Sequence, residues 1–94
     1  MLSQIPVDFT KVDKKNLNQE ILRAAIIAEL DAINLYVQMA ALTDDKDIKA
    51  VLLDIAKEEK THVGEFQTML LRLDAEQVKE MQNAQKEIKE LTGK

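Results

Sequence analysis

The spacing of apolar and polar residues along the chain predicts three helices. Apolar residues recur three and four positions apart over residues 16–42, 47–73 and 75–91, which is the period of α-helices that bury one face. A short polar break separates the two long blocks, so they predict an antiparallel hairpin. The expected fold is therefore all-α, with a shorter C-terminal helix added to the hairpin.

Polar residues at the ends of these blocks indicate where the helices begin. Asn16 with Gln19, and Asp74 with Gln77, have the spacing of a capping box, in which two side chains satisfy free backbone N–H groups at a helix N-terminus. The short acidic side chains between the first two blocks favour a turn and a cap for the second helix.

Residues 1–15 show no sustained helical period. We expect them to form an extended N-terminal arm that docks through Ile5, Val7 and Phe9, ahead of a helical domain over residues 16–94. The first residues lack the basic start and apolar core of a signal peptide, so the expected location is cytoplasmic.

The second predicted helix carries an apolar stripe with two polar residues in its middle. The stripe steps by four and three, as in a left-handed helix bundle, and comprises Ile48, Leu52, Ile55, Glu59, His62, Phe66, Met69 and Leu73. Glu59 and His62 lie one turn apart in a Glu-x-x-His arrangement. A carboxylate and an imidazole on an apolar face are unfavourable unless they are paired or bind a ligand.

The first predicted helix also has a single carboxylate, Glu29, on an apolar face that comprises Leu22, Ala25, Ile26, Ile33, Tyr36 and Ala40. Glu29 lies about 15 residues before the centre of the turn, and Glu59 and His62 lie about 15 and 17 after it, so helices of equal rise bring all three to one level. A purely structural hydrogen bond between Glu59 and His62 would by itself explain the pair on the second helix. The position of Glu29 at the same level favours a ligand-binding site instead.

Two carboxylates and one imidazole are ligands that suit iron or manganese. Carboxylate-bridged di-iron sites in four-helix bundles take one Glu from each of two helices and a Glu-x-x-His from each of the other two. Glu29 and the pair Glu59–His62 are half of that set. A second copy related by a two-fold axis supplies the other half, so we expect a homodimer whose two hairpins form one four-helix bundle.

Composition narrows the classes of function. The chain has 94 residues, a formal net charge of −4, two Phe and one Tyr, which argues against a nucleic-acid-binding surface. It has no cysteine, so thiolate metal sites and cysteine nucleophiles are excluded. Eighteen residues between positions 17 and 42 are apolar, more than one hairpin can cover, while the polar residues among them argue against a membrane span.

The segment Ala28-Glu29-Leu30-Asp31-Ala32-Ile33-Asn34-Leu35-Tyr36, followed by Glu58-Glu59-Lys60-Thr61-His62, resembles the ferritin-like superfamily. It is most similar to the encapsulated ferritins, half-length ferritins that dimerise to form a ferroxidase centre. The resemblance covers residues 16–90. It implies that Glu29, Glu59 and His62 are catalytic metal ligands of a di-iron centre across the dimer interface, which oxidises Fe(II) to Fe(III) with oxygen.

The resemblance also implies partners and two further residues. Family members form rings of dimers, often decamers, and work inside an encapsulin shell that stores the mineral. They usually end in an apolar targeting tail. The end of this chain leaves three interpretations open: the protein has another targeting signal, the chain is part of a longer protein, or it is fused to the shell protein. Asp31 matches a position, usually Glu, of an outer metal-entry site, and Tyr36 matches a Tyr near the metals. From the residues alone, a solvated carboxylate and a core tyrosine are equally good interpretations.

Other functions fit the same residues. A helical dimer that binds Fe, Mn or Zn at Glu29, Glu59 and His62 without oxygen-dependent turnover would deliver metal. A structural dimerisation module would use the Glu–His hydrogen bond and need no metal. A rubrerythrin-like peroxidase is less favoured, because the Cys-rich iron site of such enzymes is missing.

Overall fold

The computed structural model describes residues 8–11 and 13–94, and every regular element in this part of the chain is helical. The three predicted helices are all present, with bounds that differ by at most one residue at each end. The elements are a 3-10 turn at Phe9–Lys11, α1 at Leu17–Leu42, α2 at Lys46–Leu73 and α3 at Ala75–Thr92. The prediction of an all-α fold is confirmed.

Helices α1 and α2 pack against each other as a hairpin. The buried residues are Ala24 and Ala40 on α1 and Ala56 and Leu70 on α2. Small side chains on both helices let the two backbones approach closely, which explains why three of these four positions are alanines. The predicted apolar face of α1 is half-buried or buried throughout.

The apolar stripe predicted on α2 does not point directly at α1. Ile48, Met69 and Leu73 remain 52%, 45% and 47% exposed, whereas Ala56 is buried. Glu59 follows Ala56 by three residues, which places it about 60° around the helix from the α1-facing line. The stripe therefore lies along one side of the hairpin contact, and these three residues remain exposed within the single chain.

Two of the predicted caps are present. Asp45 Oδ1 accepts hydrogen bonds from the backbone N–H groups of Asp47 and Ile48, at 2.9 and 3.0 Å. Asp74 Oδ1 accepts one from the N–H of Gln77 at 3.0 Å. Each carboxylate satisfies N–H groups that have no partner within the first turn of its helix.

The predicted capping box at the start of α1 is wrong. Asn16 makes no capping hydrogen bond with its side chain, and Gln19 Nε2 instead donates to the carbonyl oxygen of Leu73 at 3.0 Å. That carbonyl belongs to the last turn of α2, where backbone acceptors have no partner within the helix. Gln19 therefore links the start of α1 to the end of α2.

The N-terminal arm is described only in part. Ile5 and Val7 lie outside the described residues, and Phe9, within the 3-10 turn, is 45% exposed. The arm is thus not extended throughout. Asp8 accepts hydrogen bonds from the hydroxyl and the backbone N–H of Thr10, and these bonds lower the pKa of the Asp8 carboxyl. The division of the chain into an arm of residues 1–15 and a helical domain stays a prediction.

Helix α3 extends away from the hairpin. No residue of α3 is buried, and the chain measures 46 × 44 × 20 Å with a radius of gyration of 16.8 Å. A compact chain of this length has a radius of gyration of about 12 Å. The third helix is therefore an arm whose apolar residues find no core within its own chain.

Two contacts between α1 and the α2–α3 junction fix the origin of this arm, and we call them the junction contacts. Arg23 Nη2 lies 2.8 Å from Asp74 Oδ2, and Gln19 donates to Leu73. Asp74 thus caps α3 and pairs with α1 at the same time. The hydrogen bond from the Gln77 N–H, followed by the interactions with Arg23, lowers the pKa of the Asp74 carboxyl despite its partial burial.

The lowered pKa of Asp74 predicts a pH-dependent contribution to stability. A carboxyl with a lowered folded-state pKa stabilises the fold above its unfolded pKa, about 3.9 for Asp, and this stabilisation is lost as the pH falls through the folded-state value. Asp74→Asn keeps the capping oxygen but loses the charge. We expect it to lower the thermal unfolding midpoint by a few degrees at about pH 7, and we expect this difference to be smaller at about pH 2, because protonation removes the charge of the wild-type carboxyl.

Asp44→Asn, which changes an aspartate in the loop between α1 and α2, is the matched control. Calorimetry of both variants at equal protein concentration measures the effect. A loss of stability in Asp74→Asn that is the same at both pH values would contradict the role of its charge.

Helix α1 has the length and apolar composition of a membrane-spanning helix. Core helices of helical bundles have the same composition, because they too are covered on several sides. In this chain α1 packs along the more polar α2 and places Glu29 beside His62, which is the arrangement of a bundle.

Candidate metal centre

Three side chains from the two long helices meet at one point of the hairpin. Glu29 comes from α1, and Glu59 and His62 come from α2, with one ligand atom of each within 4.8 Å of the others. His62 Nδ1 lies 3.4 Å from Glu59 Oε2 and 3.5 Å from Glu29 Oε2. The prediction that the three residues lie at one level is confirmed.

The helical geometry explains this meeting. Glu59 and His62 are three residues apart, so their side chains are neighbours on one face of α2. Glu29 is seven residues before Tyr36, which lies one turn from the buried Ala40 and hence beside the contact with α2. Each helix therefore presents its ligands at the edge of the hairpin contact and on the same side of it.

The three side chains differ in exposure. Glu29 and Glu59 are 21% and 18% exposed, and His62 is 46% exposed. Two carboxylates are thus largely withdrawn from water, while the imidazole reaches the surface. Withdrawal of two like charges to one place is unfavourable unless a cation or a proton lies between them.

One oxygen of Glu29 is buried without a hydrogen-bond partner. This atom is Oε2, and buried carboxylate oxygens in folded proteins nearly always have a partner. His62 Nδ1 lies 3.5 Å from this oxygen, too far for a good hydrogen bond. A buried carboxylate oxygen that lies near another carboxylate and an imidazole, and that accepts no hydrogen bond, is typical of a metal ligand.

The donor set fits a transition-metal ion. Two oxygens and one imidazole nitrogen suit iron, manganese or zinc. Donor atoms 3.4 and 3.5 Å apart can share one ion at metal–ligand bonds of about 2.0–2.2 Å. Three ligands from one chain also leave coordination positions open, which a site that performs chemistry requires.

Asp31 and Tyr36 are half-buried, and neither belongs to the three-residue group. Asp31 lies two residues after Glu29, about 200° around the helix, so it projects from another side of α1. Tyr36 lies two turns after Glu29 on the same side. An outer metal site at Asp31 and a tyrosine close to the metals stay predictions.

The residues that fix the end of the hairpin, Arg23 and Gln19, were not predicted from the sequence. Arg23 is a single charge within an apolar helix, and Gln19 has the spacing of a capping box with Asn16. Their partners are 51 and 54 residues away in the sequence. The one available indication was an isolated arginine among apolar residues, since such a charge needs a carboxylate partner.

Comparison with known proteins places this geometry among related chains. A family model described as rubrerythrin matches residues 20–94. The chain is 62% identical over 74 residues to the ferritin-like-encapsulin shell fusion protein of Pyrococcus furiosus. This match covers 79% of this chain and 21% of the relative. The chain is also 37% identical over 85 residues to the encapsulin nanocompartment cargo protein EncC of Myxococcus xanthus, and this match covers 87% of this chain and 65% of the relative.

A solved structure has the same fold. The crystal structure of the encapsulated ferritin domain from Pyrococcus furiosus matches with a TM-score of 0.84 and 53% sequence identity. The match covers 100% of this chain and 98% of the other. The chain thus spans nearly the whole of a known domain but only about a fifth of the length of the fusion protein.

Proposed function

Because this chain belongs to the encapsulated ferritins, ferritin-like proteins that the rubrerythrin model matches, we propose that it is a ferroxidase. Its substrates are Fe(II) and oxygen, and its product is Fe(III). The observation that carries the proposal is the group of Glu29, Glu59 and His62, with a buried Glu29 oxygen that lacks a partner. A structural Glu–His pair alone would leave that oxygen unexplained.

The protein's contribution is to position donors and to keep one side accessible. Glu59 and His62 are held one turn apart by α2, and Glu29 is held opposite them by α1. Glu29, Glu59 and His62 of both copies would together hold two metal ions. Bound iron supplies the redox chemistry, since each Fe(II) gives one electron to oxygen.

The site would be completed by a second copy of the chain. One chain offers two carboxylates and one imidazole, half of the ligands of a di-iron centre in a four-helix bundle. Ile48, Met69 and Leu73 lie on the ligand side of the hairpin and are about half exposed. A second hairpin related by a two-fold axis would cover these apolar side chains and add the missing ligands.

We also propose that the protein works with an encapsulin shell, inside which its product is stored. The support is that the two similar proteins are named as a shell fusion and as a nanocompartment cargo. A ring of dimers, such as a decamer, would be the working assembly, and a shell in the cytoplasm its location. An open ring cannot retain mineral, so storage needs the shell.

Oxygen uptake by the wild-type chain tests the proposal. Protein prepared without metal is given Fe(II) anaerobically and then mixed with oxygen, while absorbance follows Fe(III) and an electrode follows oxygen. We expect Fe(II) to be oxidised faster than in buffer alone, and Zn(II) added first to inhibit by occupying the same donors. Bound iron without faster oxidation would indicate metal delivery, and no bound iron would indicate a structural module.

A further inference from the structure

The sequence between α2 and α3 favours a helix throughout. Residues 70–78 read Leu-Leu-Arg-Leu-Asp-Ala-Glu-Gln-Val and contain neither glycine nor proline, the two residues that oppose helix formation most strongly. Asp74 alone separates the two helices. Its backbone adopts φ −123° and ψ 86°, outside the helical region. A single residue therefore interrupts a segment whose sequence would otherwise continue as one helix.

Backbone hydrogen bonds are kept on both sides of Asp74. Its N–H donates to the Leu70 carbonyl oxygen at 3.0 Å, and its own carbonyl oxygen accepts from the Val78 N–H at 3.3 Å. Both bonds join residues four apart, as in an uninterrupted α-helix. The interruption therefore concerns only the N–H groups of residues 75–77.

In a continuous helix the Gln77 N–H would donate to the Leu73 carbonyl oxygen. Both groups have other partners in the bent arrangement. Asp74 Oδ1 accepts from the Gln77 N–H at 3.0 Å, and Gln19 Nε2 donates to the Leu73 carbonyl oxygen at 3.0 Å. The bend thus leaves neither backbone group without a partner, because two side chains replace the missing bond.

Arg23 connects these two side chains. Its Nη2 atom lies 2.8 Å from Asp74 Oδ2 and 3.4 Å from Gln19 Oε1. The Asp74 side chain is only 13% exposed, so its carboxylate depends on these partners rather than on water. We call Gln19, Arg23 and Asp74 the latch.

Burial of apolar side chains does not fix the direction of α3. No residue of α3 is buried, and Ile88 and Leu91 near its far end are 56% and 84% exposed. The direction of α3 therefore depends on the polar bonds at its start. Without them, residues 75–77 would gain backbone hydrogen bonds if α2 and α3 formed one helix over residues 46–92.

We propose that the latch is a conformational switch, which holds α3 bent away from α2 and whose release joins the two helices into one. Gln19 and Arg23 belong to the first turns of α1, whereas Asp74 follows the last turn of α2. The latch can form only while these turns of α1 are docked on the end of α2. The direction of α3 is therefore coupled to the docking of α1, and this coupling does not depend on the proposed iron chemistry.

The bent and continuous states differ in length. One helix over residues 46–92 would be about 70 Å long at about 1.5 Å per residue, whereas the largest extent of the chain is 46 Å. Residues 54 and 87 would lie about 50 Å apart in the continuous helix and closer together when the helix is bent between them. The chain has no cysteine, so Asp54→Cys with Glu87→Cys provides two sites for spin labels.

Pulsed electron spin resonance on the doubly labelled, metal-free chain measures this distance. Excess unlabelled protein restricts the measurement to pairs within one chain. The labelled chain with an intact latch should give a distance clearly below 50 Å, and Asp74→Ala, which removes both the cap and the ion pair, should shift it to about 50 Å. Asp74→Asn keeps a capping oxygen and should retain the shorter distance.

Gln19→Ala with Arg23→Ala tests the coupling to α1. This variant keeps the cap but removes its connection to α1, and it should add a population at about 50 Å. Lys15→Ala with Asn18→Ala also removes one positive charge and one amide near the start of α1, and should keep the shorter distance. An unchanged distance in Asp74→Ala would overturn the continuous state, and an unchanged distribution in Gln19→Ala with Arg23→Ala would overturn the coupling.

Discussion

Replacement of Glu59 by alanine is expected to lower the initial rate of Fe(II) oxidation by at least about 10- to 100-fold. That range applies to residues that merely orient metal ligands, and a residue that binds the metal itself should matter no less. Glu59 lies 3.4 Å from His62 Nδ1 and belongs to the three-residue group. Its loss removes one carboxylate per chain, and two from a site built by two copies.

Glu58→Ala is the matched control for this experiment. Glu58 has the same side chain, is adjacent in sequence and is exposed on another side of α2. Its variant should oxidise Fe(II) at the wild-type rate, which excludes a general effect of removing negative charge from α2. Stopped-flow absorbance after mixing with oxygen measures all three proteins, and equal rates for Glu59→Ala and the wild type would reject Glu59 as a catalytic ligand.

The parts of the fold that depend on local sequence were predictable. Periodicity gave the three helices, because each of them must bury one face. The carboxylates Asp45 and Asp74 marked the starts of α2 and α3, because they cap nearby N–H groups. The meeting of Glu29 with Glu59 and His62 also followed from sequence, since two antiparallel helices of constant rise bring residues equidistant from their turn to the same level.

The parts that depend on the neighbour of each helix were not predictable. Periodicity shows that α2 has an apolar stripe but not which helix covers it, and the line through Ala56 differs from the stripe through Glu59 by only about 60°. Gln19 matched the capping motif, yet it bonds Leu73, 54 residues away. A backbone acceptor that is distant in sequence does not affect the local pattern of residues. The direction of α3 could therefore not be predicted from the sequence.

Exposure connects these two kinds of feature. Apolar side chains remain uncovered on both sides of the hairpin and along α3. A stable monomer seldom leaves so many apolar surfaces in water. This exposure supports the proposal that the metal ligands of one chain are completed by those of a second copy.

Metal binding is expected to drive formation of the interface that contains the ligands. Without metal, two copies would bring four carboxylates and two imidazoles together, and each copy would add a buried Glu29 oxygen without a partner. Like charges at close range oppose association, and bound cations reverse this. At a metal concentration about 100 times its dissociation constant, each ion that binds only the dimer contributes about 2.7 kcal/mol, or about a 100-fold tighter dimer per ion.

Glu59→Gln separates charge from metal binding, because glutamine has the shape of glutamate without its charge. We expect the variant to dimerise more readily than the wild type in the absence of metal, since two of the four like charges are gone. It should respond little to Fe(II), since an amide oxygen is a poorer ligand than a carboxylate. Glu58→Gln controls for the change of charge and should behave as the wild type does.

Sedimentation at several protein concentrations, with and without anaerobic Fe(II), gives the dimer dissociation constant of each protein. A purely structural dimer would respond differently. Glu59→Gln would weaken its Glu–His hydrogen bond, and its dissociation constant would not change with metal. Identical distributions of wild-type oligomers with and without Fe(II) would therefore refute the coupling of metal binding to dimerisation. A shift confined to proteins that retain Glu59 would tie assembly to the same side chains that are proposed to bind iron.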